Sequence, residues 1–224
     1  FALWLKRNGV RWDGLKIEAA GSIRGAHVVA TQDFDNGAIL ASIPKAAVLS
    51  IRTAACADLL ERLAEDVPCD ALLHMAIATE RARGSASPWY GYLQTLPING
   101  EPLPLLWPDA EITRLLAGTG LDDDARQRRR ELAAEYKSIQ LILRTLGEEA
   151  IASQLDLTSY LHAATIASSR AFYVDEYHGE ALVPFADLLN HKAALVPDDA
   201  IVEGGDESRR GHSRLRDAAQ RAAT

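Results

Sequence analysis

The chain has 224 residues, 48% of them apolar and 25% charged, with a formal net charge of −7, which suits a globular protein with a substantial core and argues against general affinity for nucleic acid. It contains no run of about 18 apolar residues, so no membrane span is indicated, and no signal-peptide pattern opens it. Its two cysteines, Cys56 and Cys69, cannot make a Cys-rich zinc site or a disulfide framework, which points to a reducing, intracellular setting, cytoplasm or nucleus.

The sequence starts at Phe1 and its only methionine is Met75, so it reads as a fragment, and an organelle address is left open. Residues 1–53 read as short strands and turns. "LKIEAA" alternates Leu15, Ile17 and Ala19. "AHVVAT" and "AILASIP" are short apolar runs separated by "QDFDNG", whose Asn36-Gly37 is a hairpin turn signal. From about residue 54 the period becomes helical, with Leu59, Leu60 and Leu63 on one face. Asp70 is the expected cap of a helix ending at Gly84, and Asp109 the expected cap of one ending at Gly118. The longest helix is expected over 122–146, where Leu132, Tyr136, Ile139, Leu143 and Leu146 follow 4-3-4-3 spacing and Gly147 closes it. Asp122, Asp123 and Asp124 suit its positive dipole end. The basic cluster from Arg126 to Arg130 falls inside this helix and reads as a solvated face. A further helix is expected over 157–168, and "ALVP" returns to a strand pattern. Strands, then helices, then strands suggest a helical insertion within a β-rich domain. The last stretch, 197–224, is polar and charge-rich and lacks a core-facing stripe, although its end could be helical.

Common nucleotide, metalloprotease and hydrolase signatures are absent, as is a Gly-rich dinucleotide turn after a strand. Four stretches stand out. Taken singly, "SIRGAHVVA" reads as an ordinary glycine hairpin and "SPWYGYLQTLP" as a core aromatic cluster. In "SSRAFYV", Arg170 sits where helix gives way to strand, and serves equally well as a buried ion-pair partner or an anion-facing donor. "LVPFADLLNHK" ends an apolar run on Asn190 and His191, by itself a turn with satisfied polar groups.

Their joint order, "RGAHVVA", "SPWYGYLQTLP", "SRAF" and "DLLNH", resembles the SET-domain methyltransferases, in particular the branch that includes the Rubisco large-subunit and ribosomal-protein lysine methyltransferases. The resemblance spans nearly everything from Leu3 to His191. It implies an α+β fold: a β-rich SET part over 1–53, a helical insertion over 54–168 and the start of the C-terminal SET part over 169–196, the rest of that part being absent. It implies S-adenosyl-L-methionine as cofactor and, as partner, a protein presenting a lysine, with neither nucleic acid nor membrane. In that family the Asn-His segment threads beneath another loop at the cofactor. The resemblance therefore assigns Asn190 to the methionine amino or carboxylate end, the His191 backbone to the adenine edge, Arg170 to the methionine part, and the backbone of Arg24, Gly25 and Ala26 to the cofactor's flank. Trp89, Phe172, Tyr173 and Asp187 are the expected substrate-side residues.

Two departures accompany the resemblance. Relatives carry a catalytic Tyr in strands beyond Asn-His, whereas here no Tyr follows Tyr177, so the catalytic residue is unassigned and weak or absent turnover is expected of the chain as written. His27 stands where relatives usually have a second turn glycine. The alternative reading is an inactive SET fragment that binds a protein partner; a histidine-directed methyltransferase ranks third, because "SRAF" resembles the lysine-directed members.

Overall fold

The computed structural model describes residues 1–19 and 26–190. The expectations for Arg24, Gly25, His191 and the polar tail lie outside the described residues. The chain opens with a helix, α1 (Ala2–Arg7), where short strands and turns are expected. Phe1, Trp4 and Leu5 recur at helical spacing; Leu5 is fully buried, and Trp4 lies on Trp89 and Tyr92 with its Nε1 donating to the Pro88 carbonyl at 2.8 Å. Six residues are too few for a helical period to declare itself in sequence.

Four short strands follow: β1 (Arg11–Trp12), β2 (Leu15–Ala19), β3 (Ala26–Ala30) and β4 (Ala41–Ser42). β2 and β3 pair antiparallel, Ile17 opposite Val28, as the glycine stretch suggests. Asn36-Gly37 does not make a hairpin between its flanking strands. β4 pairs instead with β1, Trp12 opposite Ala41, so the chain from β3 to β4 passes between two different sheets. A two-residue strand carries too little local signal to name its partner.

The helical segment contains α2 (Ala57–Leu63), α3 (Cys69–Ala82), α4 (Tyr90–Leu93), α5 (Asp109–Leu116), α6 (Leu121–Thr145), α7 (Glu149–Gln154) and α8 (Leu157–Arg170). Asp70 and Asp109 are not caps but first-turn residues. Pro68 and Pro108 occupy the cap positions, and the carboxylates favour the positive dipole end. The true side-chain cap is Asp156, which accepts from the Ser159 amide at 2.7 Å and starts α8. On α6, Leu132, Ile139 and Leu143 are buried as the spacing predicts. Leu146 is exposed, because the helix stops at Thr145 and Gly147, at φ +76°, turns the chain away. The arginines of α6 are less free than a solvated face. Arg129 donates to the Leu105 and Trp107 carbonyls and pairs with Asp109, and Arg126 donates to Thr113, which together clamp α5 and its approach onto α6; the Arg126–Asp122 contact lies within α6.

α3 is buried from Ala71 through Glu80, on every side, because α2, α4, α7 and α8 surround it. Its Thr79 and Glu80 are satisfied: the Thr79 hydroxyl donates to the Met75 carbonyl at 2.8 Å, and Glu80 accepts from the Ala55 amide and the Ser87 hydroxyl. α8 gives way at Arg170 to β5 (Ala171–Asp175), which pairs antiparallel with β6 (Gly179–Leu182). Leu182 exchanges both backbone hydrogen bonds with Leu49, each 2.9 Å long, so the late strand is tied to the early part of the chain. Leu49 and Leu182 belong to the same large apolar core as the helices. A smaller core of Leu5, Val10, Ala47 and Phe185 lies under β1 to β4. Among the described residues no helix is long and apolar enough to cross a membrane.

Candidate functional site

Four side chains distant in sequence meet where α8 passes into β5. Arg170 ends α8, and its Nε donates to Glu101 Oε1 at 2.5 Å while its Nη1 lies 3.4 Å from Asp187 Oδ2. The Tyr92 hydroxyl, from α4, donates to the same Asp187 oxygen at 2.9 Å. Each piece is aimed by its own surroundings. Glu101 follows Gly100, whose φ of +73° brings its backbone so close to α8 that a Cβ there would stand 2.6 Å from Thr165 Oγ1 and 2.9 Å from His162 Cα. The Glu101 amide then donates to Thr165 Oγ1 at 3.0 Å, pinning the carboxylate in reach of Arg170.

Asp187 owes its position to the residue two places before it. Phe185 adopts φ +80°, a conformation that costs a bulky residue about 1–3 kcal/mol. Its ring is fully buried and stacks on Trp12 at 5.1 Å, a burial contribution of about 1.5–3 kcal/mol that offsets the strain. The 3-10 turn Ala186–Leu188 follows and rests against β3, the strand that begins at Ala26. The apolar run in "LVPFADLLN" thus anchors a polar segment.

The electrostatics of this junction are unbalanced. Burial pulls the Arg170 guanidinium down, but Glu101 and Asp187 outweigh it and hold the group above its ordinary value. Burial pushes the Asp187 carboxyl up, and Tyr92 and Arg170 only partly oppose this. Both directions agree with the geometry, because Arg170 sits closer to Glu101 than to Asp187. Burial, reinforced by Asp187, drives the Tyr92 hydroxyl well above its usual range, so it remains a donor. One acceptor is left over: Asp187 Oδ1 is buried and has no partner among the described residues. A buried carboxylate oxygen without a donor is expensive, and it suits a positively charged ligand group.

The expected residues divide accordingly. Arg170 and Asp187 are in contact, and Asn190 follows three positions later, exposed. Phe172 and Tyr173 are exposed on β5. As neighbours in a strand they point to opposite faces, so they cannot line one wall together. Trp89 is a core residue, a correction to its expected substrate role: it is 4% exposed and packed on Trp4, with no free face for a substrate. His27 lies within β3 and faces Glu18 across the hairpin, its Nε2 3.8 Å from Oε2. Two members of the junction, Tyr92 and Glu101, carry no signal of that role in the sequence. Tyr92 was visible only as one of an aromatic group, and Glu101, in "NGEPLP", carries no signal beyond that of a turn.

A second polar cluster lies within the helices. Tyr160 donates to Glu135, and His74 Nδ1 stands 3.4 Å from the Tyr160 hydroxyl and 3.6 Å from Glu135. Burial raises the Glu135 carboxyl, but its contacts to His74 and Tyr160 outweigh burial and hold it below its ordinary value.

No family model matches the chain. The N-lysine methyltransferase SETD6 of Rattus norvegicus is 31% identical over 212 residues, 86% of this chain and 44% of that protein. Ribosomal lysine N-methyltransferase 3 of Saccharomyces cerevisiae is 30% identical over 194 residues, 75% of this chain and 34% of that protein. An uncharacterized protein of Schizosaccharomyces pombe, C16C6.01c, is 31% identical over 189 residues, 78% of this chain and 39% of its own length. The chain therefore spans less than half the length of the curated relatives it matches. Among solved structures, the SET domain of LSMT bound to methyl-lysine and AdoHcy superposes with a TM-score of 0.74 at 21% identity, over 88% of this chain and 45% of that one. Rubisco LSMT bound to AdoMet gives 0.69 at 23% identity, over 88% and 45%. Sequence and fold together place the chain among the SET-domain proteins, in the branch of the Rubisco large-subunit and ribosomal-protein lysine methyltransferases.

Proposed function

We propose that this chain belongs to an S-adenosylmethionine-dependent protein-lysine N-methyltransferase and holds the amino-acid end of the cofactor at the Arg170–Asp187 junction. The observation that carries the reading is the buried Asp187 Oδ1, without a partner among the described residues, beside the Arg170 guanidinium, whose Nη1 lies 3.4 Å from Asp187 Oδ2. A zwitterion fits both: its ammonium donates to Asp187, and its carboxylate accepts from Arg170. Asp187, expected on the substrate side, thus belongs with the cofactor. The resemblance assigns Asn190 to the same end and Ala26 to the cofactor's flank; Arg24, Gly25 and His191 lie outside the described residues. When bound, the cofactor supplies a sulfonium methyl.

The protein's own contribution is alignment and desolvation. A lysine ammonium must lose its proton before it attacks, and removal from water lowers its pKa. An in-line approach supplies much of the remaining barrier reduction. One aromatic face of β5, Phe172 or Tyr173, suits the lysine stem and the methylated amine. Two unpaired thiols, Cys56 and Cys69, suit a reducing, intracellular compartment.

Calorimetric titration with S-adenosylhomocysteine, paired with transfer of tritiated methyl from S-adenosylmethionine to protein in a lysate, tests the reading. Binding that Asp187→Ala abolishes is expected of this chain, with weak or no label, and methyl-lysine in the hydrolysate is expected of a version extended beyond Thr224. No binding to this chain together with no label from the extended version would overturn it.

A further inference from the structure

Arg81, in the last turn of α3, faces a hollow of about 360 Å3, lined mainly by Tyr90, Leu93, Leu96 and Ile98. Its Nη2 donates to the Ile98 carbonyl at 2.6 Å, but Nη1 is buried and has no partner among the described residues. The neighbouring carboxylate cannot serve it. Glu80 points the other way, with its oxygens on the Ala55 amide and the Ser87 hydroxyl and Arg83 at 3.9 Å. Burial alone draws the Arg81 guanidinium below its ordinary value, with no anion to oppose it. Beside this uncompensated cation, Ile98 is 82% exposed and Tyr90 43% exposed.

A half-buried guanidinium without an anion is costly, and a carboxylate meets its fork with two parallel hydrogen bonds. Leu93 and Leu96 are buried and form the floor of the hollow, while Ile98 and Tyr90 are exposed beside Arg81 and offer an apolar surface to a neighbouring side chain. We propose that this hollow docks a peptide segment of a partner protein, with an aspartate or glutamate on Arg81 and an adjacent large aliphatic or aromatic side chain on Leu93, Leu96 and Ile98. A nucleic acid fits less well, because the hollow offers one cation in an apolar lining on a chain of net charge −7. The proposal does not depend on the methyl-transfer reading, since neither Arg81 nor Ile98 belongs to the Arg170–Asp187 junction.

Selection of random dodecapeptides displayed on phage against the full chain, followed by fluorescence anisotropy of the enriched peptides, tests it. Enriched sequences should pair an acidic residue with a neighbouring bulky apolar one. Affinity should fall about tenfold or more in Arg81→Gln, in Ile98→Ser, and when the peptide's own acid is replaced by its amide. The exposed Ile98 and the peptide variant decide the matter even if Arg81→Gln fails to fold. No enrichment, enriched peptides without an acid, or affinity indifferent to these changes overturns the proposal. So does Arg81-dependent binding of a single-stranded oligonucleotide in place of peptide, or self-association of the chain that Ile98→Ser abolishes.

Discussion

Arg170 and Glu101 are 69 residues apart in the chain and 2.5 Å apart in the structure, Nε to Oε1. This contact takes much of the guanidinium's charge away from Asp187, which it meets only at 3.4 Å. The result is a carboxylate that is buried, partly neutralised and still able to accept. A closer Arg170–Asp187 pair would have been self-sufficient and poorly disposed toward a ligand cation.

Asp187→Asn should separate stability from binding. The Asp187 carboxyl is held above its unfolded value, so its contribution to stability is fully present below the unfolded pKa of about 3.9 and is lost as pH rises through the folded value. At neutral pH the substitution removes a buried charge that lacks one partner, while its amide oxygen can still accept from Tyr92. The melting temperature should stay level or rise, more so at higher pH. Affinity for S-adenosylhomocysteine should fall about tenfold to a hundredfold, for a lost charged hydrogen bond of roughly 1.5–3 kcal/mol. Melting curves across pH and calorimetric titration measure the two effects.

Asn190→Ala removes an exposed side chain, so stability should change by no more than about 0.5 kcal/mol. If Asn190 holds the methionine end of the cofactor, the same titration should show a loss of roughly 1.5–3 kcal/mol, on the order of tenfold to a hundredfold. Equal affinity in the two proteins removes Asn190 from the site.

Gly100→Ala should damage both the fold and the junction. The new Cβ would meet the backbone of His162 at 2.9 Å, at a φ of +73° that L-residues rarely adopt. A cost of about 1–3 kcal/mol from the backbone conformation alone is expected, seen as a lower denaturation midpoint. Displacing this loop also carries Glu101 away from Arg170, so cofactor affinity should fall under conditions where the variant remains folded.

Glu135→Gln should reduce acid sensitivity. The Glu135 carboxyl is held below its unfolded value, so its stabilising contribution is present above about pH 4.3 and is lost as pH falls through the folded value. Wild-type protein should therefore lose a component of stability on acidification that the variant lacks. Denaturant titrations at neutral pH and near pH 3 reveal it as a smaller difference between the two conditions in the variant; identical pH slopes would sink the idea.

The sequence by itself determined the elements whose signal is local. α2, α3, α5, α6 and α8 were legible because apolar residues recur at helical spacing over enough turns, and the passage from helix to strand at Arg170 was legible because the period changes there. Motif order disclosed the SET fold and marked Arg170, Asp187 and Asn190. Tertiary structure alone decided the rest. It paired β4 with β1 across a loop that looked like a hairpin, and it placed Trp89 in the core against α1. It also brought Glu101 and Tyr92 to a junction neither residue announces, leaving one Asp187 oxygen without a donor. Such facts depend on which distant side chains share a buried space. Packing and desolvation set that, and no period along the chain encodes it.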